Sequence, residues 1–523
     1  MWKIFSADER KAKKVASAVS DLSSSSKQKQ KLATEKLMEL AGLDQASREL
    51  IGEYPGAVAG LVGLLTSSSS HVQKQAAGAL RIQANHCPAN KVRIGEYHGA
   101  VAGLVGLLSS SNTDVQQNAA GALWSLANEC SANQVRIGEY PGAVAGLVGL
   151  LSSSNTDVQQ NAARALWSLA KECPANKVRI GKYPGAVAGL VGLLSSSNRY
   201  VQENAAWALR NLAVDCPANK VRIGECPGAV AGLVGLLSSS NTDVQWRAAG
   251  ALCNLALDCP ANRVLIGEYP GAVAGLVGLL SSSRDVQENA AGALRNLAVD
   301  CPANKVRIGE CPGAVACLVG LLSSSNTDVQ WRAAGALWSL AGGCPANKVR
   351  IGEYPGAVAG LEMLISSSNN DVQRCASEAL EVLGCDHQAN QLLKGTSTTT
   401  TSAGVVAPSR APGITPGAPK VLACGYPGNK VLQGECTTSS AAAGIVSPSR
   451  SSGNTAGEAG AKDAKGHLWP KRMQGSVRAL MVSLLQLSPY GPQPRLVSRA
   501  MWGVSGRDLE THASCLYTIL VNL

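Results

Sequence analysis

The sequence predicts an all-α solenoid of stacked helical repeats followed by a disordered tail. Three observations predict it. A segment reading IGEYPGAVAGLVGLL, or a close variant, begins at Ile51, Ile94, Ile137, Ile180, Ile223, Ile266, Ile308 and Ile351, spaced by 43 with one step of 42. A period in the forties is the range of helical solenoids. Within each copy, apolar residues fall at helical spacing. Aromatic residues are only 4% of the chain, with Phe5 the single Phe, so the core must come from Ala, Val, Leu and Ile.

The elements follow in chain order. Residues 1–26 read as a basic N-terminal tail with no apolar signal-peptide core. The array spans 27–395: eight copies and a fragment of a ninth upstream, Lys31 to Leu50. In each copy a proline such as Pro174 suits the first turn of a short helix, where its missing N–H would be unpaired anyway. Pro184 and Gly185 break the chain. Val187, Leu190, Val191 and Leu194 then form one apolar stripe of a second helix. A third helix begins at Thr113, where Thr with Gln116 three residues on predicts a capping box, repeated at Thr156/Gln159, Thr242/Gln245 and Thr327/Gln330. Val115, Ala119, Ala122, Leu123 and Leu126 form its buried stripe. Asp114, Gln117, Asn118, Gly121, Trp124, Ser125 and Asn128 lie opposite. None of the three helices can bury its apolar face alone, so copies must stack.

The run GAVAGLVGLLSSSNTDVQQNAARALWSLA, Gly142 to Ala170, resembles the armadillo repeat, whose pattern is a GAI/V-x-x-LVxLL helix followed by VQxxAAxALxNLA. The likeness recurs eight times. It implies a right-handed superhelix of three-helix repeats whose third helices line a concave groove. Two positions depart from the family. Ala145 stands where the second helix usually has proline, and Gly149 where a good helix former is expected. Each such glycine costs about 1 kcal/mol against Ala. The last copy carries six acidic and two basic residues over 351–395, which suits a cap exposed to water.

Beyond the array, 396–523 loses the period and is rich in Thr, Ser, Pro, Ala and Gly, a largely disordered, low-complexity tail. The formal net charge of +11 sits in the ends. Residues 31–395 carry 28 basic and 28 acidic groups, so the array has no bulk attraction for nucleic acid. The longest recurrent apolar stretch is about half of what a bilayer span needs, which argues against a membrane anchor. Cys87, Cys130, Cys173, Cys216, Cys259, Cys301 and Cys344 recur at one repeat position. Stacked helices lie roughly 8–10 Å apart, beyond the reach of about 7 Å for a disulfide. Reduced thiols in a cytoplasmic or nuclear setting are the expectation.

No GxSxG, HExxH, phosphate-binding loop or EF-hand is present, and no Cys-x-x-Cys pair suggests zinc. The glycine-rich GAVAGLVG lies inside a predicted helix, not at a strand-to-helix turn. A non-enzyme without cofactor or metal is expected.

What remains is the outward face of the third helices. Its buried columns barely change, whereas its outer columns vary and gather six of the nine tryptophans. Candidate protein-binding residues are Trp124, Arg164, Trp167, Trp207, Arg210, Asn211 and Trp246. Arg247, Asn254, Arg295, Asn296, Trp331, Arg332 and Trp338 complete the set. Trp and Arg are enriched at binding hot spots. Two other readings stand beside this one. The rings could lie flat on the neighbouring third helix as packing, or the variation could be drift after duplication.

The expected function is a protein-interaction scaffold holding an extended partner segment, its backbone bound by Asn211, Asn254 and Asn296. An importin-alpha-like transport adaptor is an alternative, since such proteins place Trp four residues before Asn, a pair this chain has at Trp207/Asn211. The arginines of the face argue against a basic cargo. A single-strand nucleic-acid binder using Trp stacking is a further alternative, opposed by the neutral array. The roughly 26 residues ahead of the array leave no room for a U-box.

Overall fold

The computed structural model describes residues 7–384. Among them are 26 α-helices and no strand. The expected tail at 396–523 lies outside the described residues, as do the last residues assigned to the array.

One copy shows how sequence becomes structure. The first helix is Pro174–Lys182, with Cys173 extended at its N-cap and Pro174 in its first turn. The second, Ala186–Gly192, starts from Gly185, whose φ of 79° is left-handed and favours glycine. The third, Arg199–Ala213, buries Val201, Ala205, Ala208, Leu209 and Leu212. Each third helix packs on the third helix before it and the one after it. Thr113–Ala127 thus lies between Ser70–Ala84 and Thr156–Ala170. Each of the three helices contributes a fully buried Ile or Leu, as at Ile137, Leu147 and Leu166.

The second helix runs through its late glycine in some copies, as at Gly106 and Gly149, and ends at that glycine in others. In three copies the α-helix stops there and tightens into a 3-10 turn, at Leu193–Ser195, Leu236–Ser238 and Leu279–Ser281. Ending a helix this way satisfies orphan carbonyls where a flexible residue weakens the last turn.

The capping box is corrected by one residue. The N-cap of Thr113–Ala127 is Asn112, whose Oδ1 accepts from the backbone N–H groups of Asp114 and Val115 at 3.0 and 3.2 Å. Asn155, Asn198, Asn326 and Asn369 do the same in other copies. Gln116 does not reach back to the cap N–H. Its Nε2 donates to the Ser110 carbonyl at 2.7 Å, closing the serine loop instead.

The N-terminal boundary also moves. Residues 7–22 are not a tail. They form helix Ala7–Leu22, with Val15, Ala18 and Leu22 buried. Leu22 crowds Gly60 as Leu65 crowds Gly103, each Cδ1 lying 2.8 Å from where a β-carbon would stand. This helix therefore takes the second-helix place of the partial copy, with Lys27–Leu43 as its third helix. Its four lysines and arginines hid a short apolar stripe.

The motif PANKVRIG joins one copy to the next. Asn176 is 1% exposed. Its Nδ2 donates to the Gln134 carbonyl, 42 residues back, at 2.7 Å and to the Leu169 carbonyl at 3.0 Å. Its Oδ1 accepts from Arg179 at 2.7 Å. The same pattern recurs at Asn133, Asn219 and Asn347. Only glycine fits beneath it, since a β-carbon at Gly138 would sit 2.0 Å from the Asn176 Oδ1. The next residue reaches forward. Lys177 Nζ donates to the Val214 carbonyl of the following copy at 3.0 Å, and Lys220 Nζ to Leu257 at 2.6 Å. Burial pulls the pKa of Lys220 down, and nearby Asp258 and Asp215 oppose that shift.

The recurrent cysteines Cys87, Cys130, Cys173, Cys216, Cys259, Cys301 and Cys344 are free thiols at first-helix N-caps, and all but Cys130 are buried. Among the described residues no single helix is long and apolar enough to cross a membrane. Two bent helix pairs pass on length and composition alone, at angles of 82° and 84°. Both are first-and-second-helix pairs of the repeat, with Leu233 and Leu276 buried in the core.

Candidate third-helix interface

Because third helices are flanked by third helices, their outer face is narrower than one isolated helix suggests. Gly121 and Ser125, expected in water, are buried, and all six candidate tryptophans are half-buried. Their rings lie against residues of neighbouring copies, which corrects the expectation of an open tryptophan ladder.

The contacts follow one rule. A residue late in one third helix meets the residue nine places into the next. Where the first is Arg, the second is Gly: a β-carbon at Gly121 would stand 3.0 Å from Arg81 Cδ, and one at Gly335 would stand 3.0 Å from Arg295 Cδ. Where the first is Trp, the second is large. Arg164 lies over the Trp124 ring at 3.6 Å, and the Trp167 and Trp207 rings meet at 5.7 Å and 72°. The two columns therefore vary together, Arg against Gly and Trp against Arg or Trp.

The densest part spans Thr156–Ala170, Arg199–Ala213 and Thr242–Ala256. Trp207 meets Trp246 at 4.7 Å and 61°, an edge-on pair. Arg247 lies over Trp207 at 3.4 Å and near Trp246 at 4.8 Å, with Arg210 at 5.3 Å from Trp207. Glu203, which sequence reasoning missed, holds Arg247 at 2.8 Å. Burial pushes the Arg247 guanidinium down to about 10, opposed by Glu203 and reinforced by Arg210. A second group gathers Arg295 and Arg332 around Trp331, at 5.3 and 4.3 Å. Glu288, also missed, lies 3.8 Å from Arg332, and burial raises its pKa. In both pairs the glutamate lies one period plus one residue before its arginine, a spacing of 44 that the sequence contains. Trp338 packs on the core, with no ring partner among the described residues.

The asparagines separate. Asn254 and Asn296 are buried, and their amides are used internally. Asn254 Nδ2 donates to the Gly250 carbonyl at 2.8 Å, and Asn296 Nδ2 to the Cys253 carbonyl at 2.9 Å. Of the three, only Asn211 keeps an Nδ2 with no hydrogen-bond partner. The indole N–H groups of Trp124, Trp167 and Trp207 are likewise buried and unpartnered, whereas that of Trp331 faces the Cys375 thiol. A buried donor left unmade costs about 1–3 kcal/mol.

Among the described residues no trio of His, Cys, Asp or Glu is placed to hold a metal ion. The geometry defines a helical-repeat solenoid with one polar, aromatic face built across copies. The Armadillo/beta-catenin-like repeat family matches residues 98–128, 141–171, 184–214 and 270–299, each a second and third helix. The chain belongs to the armadillo-repeat family. An engineered protein of known structure is 34% identical, over 74% of this chain and 95% of its own, with a TM-score of 0.68. A designed armadillo repeat protein is 31% identical over 46% of this chain and 99% of its own, with a TM-score of 0.43. A chain from a structure concerned with a phosphorylation switch in the interaction between cadherin and beta-catenin is 19% identical. It covers 72% of this chain and 77% of its own, at a TM-score of 0.57, and shares the fold. No curated protein sequence matches.

Proposed function

We propose that this chain is a protein-binding scaffold that holds an extended partner segment along its third helices, in the concave groove that armadillo arrays form. The armadillo fold is typical of protein-binding scaffolds. One observation carries the finer reading. Three indole N–H groups, those of Trp124, Trp167 and Trp207, and the Asn211 amide lie unpartnered along one seam. An internal packing seam gains nothing from such donors. These donor atoms are closed off from solvent, so a partner's backbone carbonyls reach them only when the seam side chains turn outward, and the Trp and Arg side chains around them, themselves half-exposed, are the types that dominate binding energy. Asn254 and Asn296 do not share this role, because their amides are already used. The free buried thiols suit a reducing compartment, cytoplasmic or nuclear.

The test uses the full chain carrying a photo-crosslinker at Gln160, on the third-helix face, or at Val178, on the exposed side of a first helix. The reading expects one partner, recovered from the protein's own cells, to crosslink at Gln160 and not at Val178. Capture at Val178 alone would overturn it.

A further inference from the structure

The central third-helix columns, from Ser70–Ala84 to Thr327–Ala341, carry six arginines: Arg81, Arg164, Arg210, Arg247, Arg295 and Arg332. Only two glutamates, Glu203 and Glu288, stand among them, and both already face an arginine. The remaining carboxylates of these helices, such as Asp114, Asp157, Asp243 and Asp328, sit in the first turn, where they complement the helix dipole. Asp243 and Asp328 stand one turn from Arg247 and Arg332, and Asp243 acts on Arg247, but from Asp157 to Arg164 is seven residues, or roughly 10 Å of helix. That is about one screening length at physiological salt. The array is neutral as a whole, yet its central stripe is cationic.

The cations also crowd one another. Burial lowers the pKa of Arg164 and Arg81 adds to this, with Glu203 opposing; on Arg247 burial is opposed by Glu203 and Asp243, and Arg210 adds the smallest share. The aromatic faces are not open platforms. Guanidinium groups cover Trp124 and Trp207, at 3.6 and 3.4 Å. Nucleic-acid bases need bare rings to stack upon, whereas a carboxylate needs only the planar donor edge that a stacked arginine still offers.

We propose that the seam selects an extended protein segment rich in carboxylates, with Arg81 and Arg164 as the cations that acidic side chains engage first. Neither makes an ion pair with a glutamate, unlike Arg247 and Arg332, although Glu203 lies near enough to Arg164 to act on it. This inference rests on the scaffold reading and names the chemistry of the partner.

The experiment titrates the full chain with three fluorescein-labelled peptides of twelve residues, alternating Gly with Glu, Gln or Lys, and with an oligothymidylate of the same length. Anisotropy and intrinsic tryptophan fluorescence are read together, since six of the nine tryptophans lie on the seam. The Glu peptide should bind at least tenfold more tightly than the Gln peptide and shift the tryptophan emission. The double variant Arg81→Gln/Arg164→Gln should lose at least tenfold in affinity for it. The first-helix control Arg136→Gln/Arg179→Gln should bind like the parent. Melting curves confirm that each variant is folded. Binding of the Glu peptide that is indifferent to Arg81 and Arg164 places it on the basic ends and overturns the proposal. So does tighter binding of the Lys peptide or the oligonucleotide. A Gln peptide that binds as well as the Glu peptide, and is sensitive to groove substitution, leaves the scaffold reading standing and overturns the acidic one.

Discussion

The first-helix motif and the third-helix seam both join one repeat to the next, yet they do so in opposite ways. In PANKVRIG nearly every polar atom is matched: Asn176 makes three hydrogen bonds and Lys177 reaches a carbonyl of the next copy. That motif barely changes along the chain. In the seam, side chains change from copy to copy, interlock by size, and leave indole and amide donors unmatched. Saturated bonds suit a framework that must be alike everywhere. Unmatched donors beside Trp and Arg suit a surface completed by something else.

The comparison is sharpened most by breaking the framework. Asn176→Ala removes three hydrogen bonds from a fully buried site and exposes the Gln134 and Leu169 carbonyls to an empty pocket. A loss of about 3 kcal/mol is expected, read as a lower urea midpoint. Lys177→Met, which removes one bond, should cost about 1 kcal/mol in the same measurement. If neither substitution moves the midpoint, the motif is not what holds the copies together.

Trp207→Ala comes next. The ring is half-buried between Trp167, Trp246 and Arg247, so its removal should cost about 2 kcal/mol of stability. A fully exposed ring would cost within about 0.5 kcal/mol, so calorimetry separates the two descriptions.

The smallest effect has the opposite sign. Gly149 is exposed, and an added β-carbon would meet nothing within 4 Å. Gly149→Ala should stabilise by about 1 kcal/mol or less. Gly146→Ala, three residues earlier, should destabilise, because its β-carbon would meet Leu108 Cδ1 at 2.8 Å. Equal shifts for both would contradict the packing described.

Much of this was legible in the sequence, because burial imposes periodicity. Val115, Ala119, Leu123 and Leu126 form the core stripe as their spacing predicts, and each is 0% exposed. The exact cap was not legible. Asn112 and Thr113 are both good N-cap residues, and only backbone geometry chooses between them. Helix Ala7–Leu22 was hidden because its apolar stripe is just Val15, Ala18 and Leu22 among lysines. The seam was half legible. Periodicity located the tryptophans and arginines on one face. It could not reveal that adjacent third helices fold that face into partial burial, or that Asn254 and Asn296 spend their amides within the array.

The most direct test measures affinity and stability on the same proteins. The partner recovered by crosslinking is titrated against the parent, Trp207→Ala/Arg210→Ala and the first-helix control Val178→Asp, at a temperature where all three are folded. The account predicts a loss of about 2–4 kcal/mol in binding for the seam variant and none for the control. Parental affinity in the folded seam variant would contradict it.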